Sequence, residues 1–163
     1  MTIDETVQEQ LIALLPRLRR FAFSLTGSRY DADDLVQSAC ERALKNLHQW
    51  QPNTRLDSWM FRITKNIWID TWRSRKAQGR CGDLEEADYA VDNYGDTKDE
   101  ARDTLRRVAL AMQNLPDEQR LALTLVSVEG LSYKEAAEVL DIPVGTVMSR
   151  LARARRKLHE FIT

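Results

Sequence analysis

Only six glycines and four prolines punctuate the 163 residues, too few for the frequent turns of a strand-rich architecture, so helix is the expected backbone. Cysteine and histidine are scarcer still. Cys40 and Cys81 are too few and too far from any His pair for the usual zinc spacings, so no metal or cofactor site is expected. The chain also lacks a Gly-rich phosphate loop and any Ser, Cys or His group at catalytic spacing, so a non-enzymatic role is expected. No apolar run approaches the roughly 20 residues that cross a bilayer. The first ten residues, MTIDETVQEQ, are polar and acidic; neither membrane insertion nor a secretion signal is expected, and a cytoplasmic location follows. There both cysteines would stay reduced, with Cys40 in register with Val36, Ala39, Ala43 and Leu44 as a packing residue and Cys81 exposed.

Charge is plentiful but unevenly placed. The formal net charge is -1, yet residues 1–80 hold 13 Lys and Arg against 9 Asp and Glu, residues 81–105 hold 2 against 9, and residues 106–163 hold 9 against 7. Two mildly basic ends flank an acidic middle, an asymmetry that points to nucleic acid or charged partners.

Apolar periodicity divides the chain into helices. One is expected from Asp4 to Leu25, with Pro16 as a break or kink and Gly27 as its stop. A second, from about Asp31 to Leu47, buries Leu35, Val36, Ala39, Cys40, Ala43, Leu44 and Leu47 and turns Asp34, Gln37, Ser38, Glu41 and Arg42 outward. After a ten-residue connection, Trp50 to Trp59, a third runs from about Leu56 to Lys76. Its apolar stripe is Leu56, Met60, Ile63 and Ile67; Arg62, Lys65, Asn66, Arg73 and Lys76 share another arc, with Trp59, Trp68 and Trp72 between or beside them. Basic groups next to rings can neutralise phosphates and stack unpaired bases, although Trp68 and Trp72 suit core packing equally well. The stretch from Gly79 to about Asp99 has no sustained period and reads as an acidic linker. Helix resumes near Asp99, with Leu105, Val108, Ala109 and Met112 in register, and Asp117 is the expected cap of a helix reaching about Val128. The expected fold is all-α: two small helical domains, residues 1–78 and 99–163, joined by the linker 79–98.

The sequence LSYKEAAEVLDIPVGTVMSRLARARRKL, Leu131 to Leu158, carries the most. Ser132 with Glu135 three residues on is a capping-box spacing, Asp141-Ile142-Pro143 interrupts the pattern, and a second helix starts near Pro143 or Val144. At about 100° per residue, Val147, Leu151, Ala154 and Leu158 share one stripe, opposite Gly145, Thr146, Ser149, Ala152, Arg153 and Arg156. Between Ile142 and His159 stand Arg150, Arg153, Arg155, Arg156 and Lys157 without a carboxylate. A solvated surface helix normally interleaves acidic partners. This pattern is that of a helix-turn-helix whose second helix enters a DNA groove.

Nearly the whole chain resembles the two-domain bacterial sigma factors of the extracytoplasmic-function group in the sigma-70 family. The resemblance rests on DADDLVQSACERALKN (Asp31–Asn46), LDSWMFRITKNIWIDTWR (Leu56–Arg73), NLPDEQRLALTLVSVEGLSYKEAAEVL (Asn114–Leu140) and IPVGTVMSRLARARRKL (Ile142–Leu158), in that order and spacing. LTGSRYDADDLVQ and NLPDEQRLALTLV are further similar to the alphaproteobacterial general-stress branch. The resemblance implies a promoter-specificity subunit, active in a stress response, with three partners: core RNA polymerase through its β and β′ subunits, promoter DNA and a cognate anti-sigma factor. By position it makes Asp34, Gln37, Ser38 and Glu41 contacts to the polymerase clamp helices. It gives Asn53, Arg55, Asp57, Ser58, Trp59, Arg62, Lys65, Asn66 and Arg73 to the minus-ten strand, where a base is flipped out at a cost of a few kcal/mol. Thr146, Ser149, Arg150, Arg153, Arg156 and Lys157 fall to the minus-thirty-five element, with Arg150 and Lys157 on phosphates. The linker is implied to thread the polymerase cleft and RNA exit path. Met148 departs from the basic residue of many members and Ala152 from a larger one in some, changes that weaken phosphate contact or favour a thymine methyl. Two other readings remain, a stand-alone helix-turn-helix regulator and a sigma-like decoy for an anti-sigma factor.

Overall fold

The computed structural model describes residues 3–77 and 99–162. The expected acidic linker and Cys81 lie outside them. Among the described residues every regular element is helical: α1 Ile3–Thr26, α2 Arg29–Lys45, a short 3₁₀ turn Leu47–Gln49, α3 Leu56–Trp68, α4 Ser74–Ala77, α5 Asp99–Gln113, α6 Asp117–Leu123, α7 Tyr133–Leu140 and α8 Val144–Ile162. Single π-turns, Ile69–Arg73 and Thr124–Val128, continue α3 into α4 and extend α6.

Local chemistry accounts for most boundaries. Gly27 stops α1 at φ 72°, a conformation in which a side chain would be strained. Ser28 then caps α2, its hydroxyl accepting from the Asp31 N–H at 3.3 Å. The expected capping box closes at α7: the Glu135 N–H donates to Ser132 Oγ at 3.1 Å and the Ser132 N–H to Glu135 Oε1 at 2.9 Å. Asp141 ends α7 in the left-handed region, φ 56°, and the Ile142 N–H closes back on the Ala137 carbonyl at 3.1 Å.

Three expectations need correction. α1 runs through Pro16 unbroken; Pro16 and Ile12 are both exposed, so water can serve the carbonyl that the missing N–H leaves behind. The cap position of α6 is Pro116, not Asp117, and no side chain caps it; Asp117 instead binds Arg120 at 2.8 Å. Leu44 and Leu105 sit at the edges of their stripes and are exposed, while Cys40 and Leu47 are half-buried against the core. Of the two uses left open for Trp68 and Trp72, the structure shows core packing: both are buried.

The cores of the two halves are not separate. One continuous cluster joins Leu18, Phe21, Leu35, Met60, Phe61 and Trp68 of the first half to Leu121, Leu125, Leu131, Ala136 and Val139 of the second. A smaller cluster, Met112, Leu115, Leu123, Leu151 and Ala154, fixes α8 on α5 and α6. Arg120, wholly buried on α6, stacks 5.5 Å from the Trp68 ring centroid while donating to Asp117 and to Gln113 Oε1. Gln113 Nε2 in turn reaches the Ser24 carbonyl of α1 at 2.9 Å.

Candidate nucleic-acid interface

The second half presents α8. Val147, Leu151 and Ala154 are buried, Leu158 is half-buried, and the turn Leu140 to Pro143 sets the helix across α7. Gly145, Ser149, Ala152, Arg153, Arg156 and Lys157 are exposed. A Cβ built on Gly145 meets nothing within 4 Å, so no neighbour inside the protein requires glycine there; its smallness opens the outer surface, where a groove wall can approach. Arg153, Arg156 and Lys157 have no ion partner among the described residues. Thr146 is half-buried at the edge of this face. Arg150 is half-buried and leans 3.7 Å from the Glu118 carboxylate of α6, off the centre of the face. Met148 is 51% exposed beside it. The sequence-predicted set thus forms one surface, with Arg150 and Thr146 at its rim.

The first half gathers its candidates around the start of α3. Asp57 lies in the first turn, where the helix N-terminus favours a carboxylate. Its oxygens accept from Arg55 Nε at 3.0 Å and Nη2 at 2.6 Å, from the Ser58 N–H at 2.7 Å, and from Arg17 Nη1 at 3.1 Å. Burial raises the Asp57 pKa, but the Arg55 and Arg17 guanidiniums and the Ser58 N–H outweigh it and hold the carboxyl below its ordinary value. Asp57 is therefore an organiser of arginines, with little surface left for a base. Asn53 and Asn66 are exposed, and Ser58 and Trp59 half-buried; the side chain of Arg73 lies outside what is described.

Three of these candidates meet the second half. Arg62 Nη2 donates to the Glu138 carbonyl of α7 at 2.7 Å. Lys65 is buried, and desolvation with the neighbouring Arg62 charge lowers its pKa against the opposing pull of Asp141 and Asp70. Arg55 also pairs with Glu135. Arg17 and Arg20, one turn apart on α1, both bind Glu129, whose side chain has no exposed surface. Nothing local in the sequence singles out these last three residues. The i,i+3 arginine pair is visible, but its partner lies more than 100 positions away.

The outer face of α2 is simpler. Asp34, Gln37 and Glu41 are exposed, Ser38 is half-buried, and Gln37 Nε2 reaches Glu41 at 3.5 Å. Ala32, Leu35, Val36, Ala39 and Ala43 occupy the buried side.

Comparison with known proteins gives consistent matches. Residues 11–78 match the model of sigma-70 region 2, and residues 105–158 that of sigma-70 region 4. The chain is 37% identical over 162 residues to the ECF RNA polymerase sigma factor EcfG of Rhodopseudomonas palustris (strain TIE-1), covering 99% of this chain and 88% of that protein. Among solved structures, the sigma factor RpoE of Bartonella quintana, in complex with the anti-sigma factor NepR, superposes with a TM-score of 0.80 at 30% identity over 97% of each chain. CnrH, in complex with the cytosolic domain of CnrY, gives 0.68 at 28% identity over 95% of this chain and 88% of its own. A two-part helical chain with a basic recognition helix, matched in both parts and along nearly its full length, belongs to the sigma-70 family, among its ECF RNA polymerase sigma factors.

Proposed function

We propose that this sigma factor divides the promoter between its halves: residues 1–78 take the minus-ten strand and the polymerase, residues 79–98 connect, and residues 99–163 take the minus-thirty-five element. The observation that carries the division is the exposed face of α8, which bears Arg153, Arg156 and Lys157 with no carboxylate before Glu160, beside a second basic surface on α3. Ser149, Arg153 and Arg156 read base edges from α8; Arg150 and Lys157 hold phosphates. Asn53, Arg55, Ser58, Trp59, Arg62, Lys65, Asn66 and Arg73 engage the minus-ten strand, with Asp57 positioning Arg55. Asp34, Gln37, Ser38 and Glu41 dock on core RNA polymerase, a use for a polar face on a helix whose other side is already packed.

As sigma factors, the family acts in promoter-specific initiation; the catalytic work belongs to the polymerase, and this chain acts in the cytoplasm without being an enzyme. The matches to EcfG and to sigma factors solved with anti-sigma factors support a stress response and a cognate anti-sigma partner. The test is transcription reconstituted from core polymerase, this chain and a genomic template, with start sites mapped. Start sites sharing minus-ten and minus-thirty-five elements are expected; the absence of both a polymerase complex and promoter-dependent starts would reject the proposal and favour a stand-alone regulator or a decoy.

A further inference from the structure

Three partly exposed arginines of the first half bind carboxylates, and two of those carboxylates come from the second half. Glu129 Oε1 and Oε2 accept from Arg20 Nη2 at 2.8 Å and Nε at 3.0 Å, a two-bond fork. Arg17 adds Nε at 3.5 Å to the same carboxylate and Nη2 at 3.3 Å to the Glu129 carbonyl, while its Nη1 holds Asp57. Arg55 bridges Asp57 to Glu135. Within this network the charges balance: Arg17, Arg20 and Arg55 against Asp57, Glu129 and Glu135. Withdrawing the second half takes Glu129 and Glu135 away together and leaves Asp57 as the one carboxylate of the network, beside Asn53 and Ser58. The guanidinium fork that fits a carboxylate also fits a phosphate. A carboxylate with no exposed surface is stable only while cations hold it, so both partners of each pair change surroundings when the halves part.

We infer that Arg17, Arg20 and Arg55 are phosphate ligands for the promoter strand, and that Glu129 and Glu135 occupy those same arginines when the halves are closed. The second half is thereby an internal competitor for the strand-binding surface, and α1 belongs to that surface. The inference rests on the assignment of the minus-ten strand to the first half.

The experiment titrates the full-length chain against a fluorescent single-stranded oligonucleotide carrying the non-template minus-ten element of a promoter mapped by reconstituted transcription. Glu129→Gln keeps shape and hydrogen-bonding capacity but removes the competing charge; affinity is expected to rise about tenfold, within the usual range of coupling between two sites. Glu135→Gln probes the other end of the network and should act in the same direction. Adding Arg20→Ala or Arg17→Ala to Glu129→Gln should cancel the gain and flatten the logarithmic salt dependence by about 0.7 for each phosphate no longer neutralised. Unchanged oligonucleotide affinity in both glutamine variants would overturn the inference, as would a gain that survives removal of the arginines with the same salt slope. The underlying assignment fails separately: it falls if wild-type chain and polymerase initiate independently of the minus-ten sequence.

Discussion

The two basic surfaces are built from the same residue types and differ in what covers them. On α8, Arg153, Arg156 and Lys157 project from a helix whose other side is packed, and nothing among the described residues shields them. On α3, Arg62 is held by an α7 carbonyl, Lys65 is buried and Arg55 is paired with a carboxylate of α7. The α8 surface is open as it stands. On the α3 surface Arg55 and Arg62 stay exposed but have their guanidiniums engaged by the second half, and Lys65 is the one buried. A surface whose arginines are held by the other half of the chain is freed only when that half lets go, and the energy of parting the halves must come from whatever binds the opened form better.

The sharpest way to break that comparison is to remove the packing beneath it. Arg120→Ala takes away a fully buried cation that joins α6 to Trp68 and leaves a void beside Asp117 and Gln113; a loss of about 3–5 kcal/mol is expected, read by chemical denaturation. Because the core is continuous, both halves should unfold in one transition in the wild type and in two, or at lower denaturant, in the variant. Next in size, Arg153→Ala should cost about 1–3 kcal/mol in binding to upstream duplex with unfolding unchanged. Equal loss of polymerase binding would remove Arg153 from the base-reading set. Arg62→Ala deletes one hydrogen bond to α7, about 1 kcal/mol of closed-state stability; promoter opening, followed by permanganate reactivity of unpaired thymines, should fall while polymerase association holds. The smallest effect is on pH. The Asp57 carboxyl is held below its ordinary pKa, so its contribution is complete above the unfolded value of about 4 and is lost as pH falls through the lower folded value. Asp57→Asn should flatten the acid limb of a stability–pH curve, and an unaltered limb would assign it to other carboxylates.

Much of the second half is legible in the amino-acid sequence. The capping box at Ser132, the Asp141 turn and the α8 stripe follow from residues within a few positions of each other, where local chemistry dominates. The same holds for the buried side of α2, apart from Leu44 at its edge. Pro16 shows the limit of a local rule, since a proline is tolerated where the freed carbonyl faces water. The tryptophans show another: Trp68 and Trp72 sit beside basic residues in sequence, but the apolar ring area is best used in the core and against Arg120. The network of Arg17, Arg20, Asp57 and Glu129 is illegible there because each arginine and the carboxylate it binds are separated by 40 to 112 positions, and no periodicity carries information across that distance. For the same reason the sequence names Arg55, Arg62 and Lys65 as candidates without revealing that α7 engages the two arginines and that Lys65 is buried.

The central claim, that the halves are closed in the free chain and part on the promoter, is tested most directly by the distance between them in solution. Fluorescence energy transfer between one dye on the exposed side of α2 and another near the end of α8 measures it. High transfer is expected in the free chain, falling when core polymerase and promoter DNA are added and falling partway with Glu129→Gln alone. Low transfer in the free chain, or transfer that stays high in the polymerase complex, would contradict it.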